Sequence, residues 1–456
     1  MIDNTLYAYM EELLRRTPTG FVRYMAGRID WDSRLVGIVG PRGVGKSTML
    51  LQRLKANRDK DKWLYVSADH TYFSNHSLVD LADDFVKEGG VHLYIDEVHK
   101  YRNWSRELKQ IYDVHPDLQV VFTGSSVLDI TKGEADLSRR ALMYMMQGLS
   151  FREYLELFHN VKSETYSLEE ILSHKVELPL PHPLPLFRDY LASGYYPFAK
   201  ESGFVIRMEQ IVSQTIESDI PQYADMKAST ARKLKQMLAV VASLAPYKPN
   251  ADSLAAELQV SKNNVPDYLA YLEKAGMIGL LRDDTGGMRG LGKVEKVYID
   301  NPNLMTVLSN GRPETGNLRE TFFYNQMRLM NPIVASRESD FVIGDYTFEV
   351  GGRKKGKKQI ADIHNGVIVK DEIEFGNGNV IPLWHFGLNY RGAFFSARQT
   401  IQFVKDFISL RKIRNNAKDT HHRRPGTHPP RAARHPRKRK LSGGRRRHRH
   451  GCLATC

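Results

Sequence analysis

Cysteine is missing from the first 451 residues of this 456-residue chain, and its two cysteines, Cys452 and Cys456, close the C-terminus. The rest can therefore hold no disulfide framework, cysteine nucleophile or thiolate metal site. No run of about 18 consecutive apolar residues is present, which excludes a membrane-spanning helix. The N-terminus, MIDNTLYAYMEELLRR, carries Asp3, Glu11 and Glu12 and lacks a basic segment followed by an apolar core. It does not read as a secretory signal, and the expected location is the cytoplasm.

Acid is scarce in one stretch. Residues 418–456 hold thirteen Lys and Arg against a single acid, Asp419, so they carry +12 of the chain's net +14 and residues 1–417 only +2. The basic total therefore says little about the folded surface. Residues 413–456 also have few large apolar side chains, cannot build a core, and read as a basic, disordered tail. Such a tail would bind any polyanion by charge alone, and no function is assigned to it.

The remainder is too long for one hydrophobic core to be the default. From residue 35 to about 125, apolar strands alternate with helical stretches: LVGIVG (35–40), KWLYVSAD (62–69), VHLYIDE (91–97) and LQVVFTGSS (118–126). Short apolar runs suit parallel strands covered on both faces, and the connections can hold crossover helices, so this is an α/β unit. Residues 136–245 read mainly as helix, broken by the proline-rich loop ELPLPHPLPL (177–186). Residues 232–300 then suggest three short helices and a two-stranded wing with a glycine-rich tip, together a winged-helix module. The third helix takes Ser261 or Asn263 as N-cap and Gly276 as terminator. Residues 314–400 combine a helix, LRETFFYNQMRLM, with strands in DFVIGDYTFEVGG, GVIVKDEIEFG and NVIPLWHFGL, a second mixed domain.

The stretch Gly40, Pro41, Arg42, Gly43, Val44, Gly45, Lys46, Ser47 fits the phosphate-loop pattern G-x-x-x-x-G-K-[ST], between an apolar strand and a helix. Glycines let the backbone wrap phosphates with N–H groups pointing inward. Lys46 would sit near the β- and γ-phosphates of ATP, Ser47 would offer its hydroxyl to Mg²⁺, and Thr48 would give second-line support. About fifty residues on, an apolar strand ends in Asp96-Glu97. Asp96 would hold the magnesium and Glu97 would polarise the attacking water. Thr123 and Ser125, ending the next strand, are candidate sensors of the γ-phosphate or water. Asp69 lines the same crevice or caps the following helix. Arg139 and Arg140 are candidates for a guanidinium that stabilises phosphoryl charge, within the chain or from a neighbouring subunit.

In order, RLVGIVGPRGVGKST, YVSAD, LYIDEVHK, FTGSS, DLSRRALMYMMQGLSFREYL, YLASGYYPF and LRETFFYNQM resemble a prokaryotic family of AAA-type P-loop ATPases. The resemblance covers roughly residues 1–400. It implies an ATPase core with helical lid at 1–225, a winged-helix segment at 226–300, and at 301–412 a domain distantly similar to the PD-(D/E)XK nuclease fold. It also places the Arg139-Arg140 pair where the family carries such a pair. A metal-dependent nuclease of that fold needs an Asp and then an acid-x-Lys on the next strand. Here Asp340 and Glu349 supply the acids, Gly351 stands at the lysine position, and Lys354, Lys355, Lys357 and Lys358 follow. The domain therefore reads as degenerate. The third helix of the winged-helix segment has Lys262 and Lys274 against Asp267 and Glu273, a net of zero, leaving Arg282, Arg289, Lys293 and Lys296 on the wing for a DNA backbone.

The expectation is Mg²⁺-dependent ATP hydrolysis coupled to an unidentified DNA or protein target, with no membrane involvement and with homo-oligomers if an arginine acts between subunits. The alternatives are a nucleotide-gated DNA- or protein-binding switch with negligible turnover, and a Mg²⁺-dependent nuclease centred on Asp340 and Glu349.

Overall fold

The computed structural model describes residues 2–57, 62–124, 137, 139–221, 226, 228–284, 293–356 and 358–391. Ser125, Arg289, Lys357 and the basic tail lie outside them. Among the described residues, no helix is long and apolar enough to cross a membrane.

The first sheet is built from β1 (Leu35–Val39), β2 (Trp63–Ser67), β3 (His92–Asp96), β4 (Gln119–Gly124) and β5 (Leu142–Met145), in the order β2-β3-β4-β1-β5. Every pairing in it is parallel. β1 and β2 are buried at every residue, as expected of strands covered on both faces. The helices Lys46–Ala56, Leu78–Lys87 and Trp104–Val114 make the crossovers.

β5 corrects the sequence reading, which has residues 136–245 mainly helical. LMYM has ordinary helix formers, but β1 would otherwise be the sheet's edge. Val36, Gly37, Ile38 and Val39 instead pair with Leu142, Met143, Tyr144 and Met145, so tertiary pairing overrides local propensity. The chain then turns into Phe151–His159, whose capping box joins Ser150 and Glu153. The proline-rich loop is also shorter than expected. A helix already runs over Leu184–Asp189, with proline in its first turn, where the missing N–H costs nothing.

Beyond Phe204–Gln214 the chain forms Ala228–Leu244, Ala251–Leu258 and Val265–Lys274, then the antiparallel pair β6 (Ile278–Arg282) and β7 (Val294–Ile299). Ser261 caps a short 3₁₀ turn, Lys262–Asn264, ahead of the third helix, and Gly276 follows that helix with φ 71°.

The last sheet contains β8 (Ile333–Ala335), β9 (Phe341–Ile343), β10 (Tyr346–Gly351), β11 (Gly366–Lys370) and β12 (Val380–Pro382), in the order β12-β11-β10-β9-β8. β10-β11 and β11-β12 run parallel, and β8-β9 and β9-β10 antiparallel. It does not have a core to itself. Phe151, Tyr154, Phe187 and Tyr190 pack with Phe322, Phe323 and β8–β12 side chains in one apolar cluster. Ring pairs such as Phe187–Phe322, 4.9 Å between centroids, cross it edge to face.

Candidate functional site: a phosphate-binding cleft at the carboxyl edge of the first sheet

β1 delivers residues 40–45 to the carboxyl edge of the sheet, where open α/β sheets take their ligands. Gly40 has φ 155°, and a Cβ there would lie 2.0 Å from the carbonyl oxygen of Met146. That carbonyl belongs to the residue that follows β5, and the Met146 N–H donates to Val39 O at 2.7 Å. Only glycine fits. Gly45, with φ 95°, caps the helix Lys46–Ala56, and no side chain satisfies the first N–H groups. A helix start of this kind attracts an anion.

Lys46 is only 5% exposed. Its ammonium donates to the Gly40 and Pro41 carbonyls, both at 2.8 Å. Burial lowers its pKa to about 8, while the charges of Glu97 and Asp96 act to raise it. A buried ammonium held by neutral carbonyls is a ready partner for phosphate.

Asp96, 4% exposed, ends β3. Tyr65 Oη from β2 donates to its Oδ2 at 2.8 Å, and the Thr123 hydroxyl of β4 donates to its Oδ1. Glu97 takes a left-handed backbone, φ 53°, which turns the chain off the strand. Its N–H donates to Thr123 Oγ1 at 3.1 Å. Thr123 thus holds the Asp96 side chain and the Glu97 backbone together. The Nε2 atom of His99 lies 3.5 Å from Glu97 Oε2. Burial, with Lys100 nearby, pushes the His99 pKa down to about 3, so the imidazole is neutral at ordinary pH.

A cleft of about 490 Å³ opens on this edge. Gly45, Lys46, Ser47, Thr48 and Glu97 line one wall, and Pro18, Phe21, Leu157 and Pro197 add apolar surface. The size suits a nucleotide-scale ligand.

Not every candidate gathers there. Asp69 accepts from the Ser67 hydroxyl at 2.5 Å, and His70, not Asp69, caps the next turn. Arg139 and Arg140 precede β5 at the other edge of the sheet. Arg140 pairs with Asp113 at 2.9 and 3.0 Å. A five-residue strand rises about 16 Å, so the pair starts a strand's length from the edge that carries residues 40–48.

Three residues that sequence reading passed over prove central. Tyr65 anchors Asp96. Arg23, buried, pairs with Glu153 at 2.9 Å and donates to the carbonyls of Val44, Gln147 and Gly148 at 2.6–2.9 Å. It ties the phosphate loop to the segment after β5. Asp219 grips Arg42 through both carboxylate oxygens. Tyr65 opens the stretch YVSAD, but nothing local points any of the three to its partner, because each acts on residues far away in the chain.

The second cluster lies beside β9 and β10. Lys296 bridges Glu320 and Asp340 at 3.1 and 2.9 Å. The Lys355 ammonium pairs with Glu349, and its methylenes fill the space a Cβ on Gly351 would need. Two cations at β6 and β7 are likewise engaged: Arg282 with Glu273 at 2.8 Å and Lys293 with Glu295 at 3.8 Å. Among the described residues, no group of three or more His, Cys, Asp or Glu is placed to hold a metal ion.

A family model for an AAA domain matches residues 32–155, the segment from β1 through the start of the helix Phe151–His159. Residues 32–155 are thus similar to AAA domains. A second family model, described only as a domain of unknown function, matches residues 184–315. An uncharacterized protein of Methanocaldococcus jannaschii is 28% identical over 267 residues, 54% of this chain and 56% of that protein. The chain thus spans little more than half the length of this relative. Similar solved structures include a Walker-type ATPase of Pyrococcus abyssi, 13% identical with TM-score 0.38, covering 68% of this chain and 96% of that one. A structure of katanin, 13% identical with TM-score 0.25, covers 58% and 81%. PCH-2 of C. elegans, 15% identical with TM-score 0.22, covers 60% and 67%.

Proposed function

We propose that the AAA-type domain binds ATP with Mg²⁺ along residues 40–48, hydrolyses it, and uses the nucleotide state to move the later modules against a macromolecular target. The observation that carries this reading is the buried Lys46 ammonium, turned to neutral carbonyls beside Asp96 and Glu97. Phosphate would accept from Lys46 and from the free N–H groups at the start of Lys46–Ala56. Magnesium at such sites takes one or two protein oxygens and completes its shell with phosphate and water. The Ser47 hydroxyl and the Asp96 carboxylate meet that requirement, and the ion supplies neutralisation of phosphate charge. Glu97, 21% exposed along its side chain, is the base that orients and deprotonates water. Tyr65 and Thr123 position Asp96. The arginine of the Arg139-Arg140 pair acts on a neighbouring copy, in a homo-oligomer. In this reading residues 1–225 are the motor with its lid, 226–300 a winged helix and 301–412 a nuclease-like fold.

Purified chain is expected to hydrolyse ATP. Lys46→Ala should abolish ATP binding, and Glu97→Gln should keep binding while turnover falls by about 10²-fold or more. Normal turnover in Glu97→Gln would remove that residue from the mechanism. Binding without turnover in the unaltered chain would favour the gated switch.

The nuclease alternative has one observation in its favour, the reach of Lys355 to Glu349. Against it, ammonium groups already occupy the carboxylates, and the described residues offer no metal-holding group there. A Mg²⁺-dependent cleavage assay on single- and double-stranded DNA, repeated with Glu349→Gln, decides it.

A further inference from the structure

Of the four residues between Gly40 and Gly45, only Arg42 is charged. Its guanidinium does not reach for solvent. Nε and Nη2 donate to the two oxygens of Asp219 at 2.7 and 2.9 Å, a bidentate fork. Asp219 is 1% exposed. It closes a π-helical turn, Thr215–Asp219, that continues the helix Phe204–Gln214. Lys100, three residues beyond Glu97, lies 3.7 Å from the same carboxylate. One buried anion is therefore shared by a cation of the phosphate loop and a cation that follows Asp96-Glu97.

Arg42 also lines the phosphate cleft beside Gly45, Lys46 and Glu97. With Ile211, Glu217 and Ser218 it borders an adjoining open cavity of about 830 Å³. It stands on the wall between the two. Arg42 is half-buried, with 21% of its side chain exposed, and a charge in such a place gives up a bidentate partner most readily for another anion. The terminal phosphoryl group of a triphosphate is such an anion, and its oxygens match the planar fork. A diphosphate held by the same loop has no such group. The Asp219 segment is suited to move, because a π turn is a rare register inserted into α-helix and recurs at functional sites. Lys235 Nζ, 2.6 Å from Glu217, links that turn to the helix Ala228–Leu244.

We propose that Arg42 senses the terminal phosphate and that Asp219 is the internal anion it exchanges for it, so that triphosphate but not diphosphate frees the Thr215–Asp219 turn. This rests on the nucleotide reading above. A ligand shifts an equilibrium only through differential affinity for the two states, and here the difference is one phosphoryl group.

The test titrates the full chain with ADP and with a non-hydrolysable ATP analogue, both with Mg²⁺. Asp219→Asn, which removes the competing charge and keeps the shape, should bind the ATP analogue about 5- to 10-fold more tightly, with ADP affinity unchanged. Arg42→Gln should erase the preference for triphosphate, and the double variant should match Arg42→Gln alone. Arg42→Lys, a cation without the fork, should recover part of the preference. Should Asp219→Asn not fold, the Arg42 variants carry the comparison. Amide hydrogen exchange in the unaltered chain reads the release directly: residues 215–219 should exchange faster with the ATP analogue than with ADP. Equal exchange with the two nucleotides, or an unchanged preference in Arg42→Gln, overturns the assignment. An unaltered chain that binds neither nucleotide defeats the site reading and this inference together. Binding of both with no change of ratio defeats this inference alone.

Discussion

Lys46 shows how burial sets a residue's chemistry. Its pKa, lowered to about 8 by loss of solvent, lies below that of a free lysine near 10.4. Between these values the unfolded chain binds the proton that the folded chain has lost, so this group's cost to stability fades as pH rises through that window. Phosphate binding needs the charged form and raises the pKa in the complex. ATP affinity is therefore expected to fall as pH climbs from 7 to 9, by up to about tenfold per unit above 8, with proton uptake on binding in that range. Calorimetry in buffers of different ionisation enthalpy measures both. Flat affinity across pH 7–9 would remove Lys46 from phosphate contact. The residue scale is also where the sequence is most legible. Lys46, Ser47, Asp96 and Glu97 lie in two short runs whose proposed roles follow from their place at strand ends. The partners of Tyr65, Arg23 and Asp219 were not legible, because a hydrogen bond across 31, 130 or 177 residues leaves no local pattern.

Elements tell the same story at larger spacing. Four strands of the first sheet read directly from the sequence, three of them as short apolar runs, the signature of strands covered on both faces. β5 did not, because its four residues have no period of their own and are strand only through β1. Its importance exceeds its length, for its end closes over Gly40 and leads to Ser150 and Glu153. The Arg23–Glu153 pair fastens this corner. Removing one partner of a buried ion pair leaves an uncompensated charge and costs about 3–5 kcal/mol. Arg23→Met should therefore lower the unfolding midpoint markedly, and Arg23→Met with Glu153→Met should recover part of that loss. A thermal melt of the three proteins checks this, and a single variant as stable as the parent would show that the pair is not a fastening.

On the scale of the whole molecule, the two edges of the first sheet divide the chemistry. The phosphate loop and both acids lie at one edge, Arg139 and Arg140 at the other. In the proposed reading, an arginine of this pair serves catalysis from a second copy. Lys46→Ala and Arg139→Ala, each inactive by itself, should then regain part of the ATPase activity on mixing, with the gain rising with protein concentration. No recovery, with full activity in Arg139→Ala and in Arg140→Ala, would exclude an arginine of this pair.

The aromatic cluster that joins Phe151, Phe187 and Tyr190 to Phe322 and Phe323 sets the smallest piece of this protein that can be handled. The AAA-matching stretch, residues 32–155, ends inside that cluster. Cut there, it would leave a face of phenylalanine and tyrosine rings open to water and prone to aggregate. Neither portion is a detachable cassette. A fusion point or a permuted terminus placed between Phe151 and Leu388 would cut into this shared core.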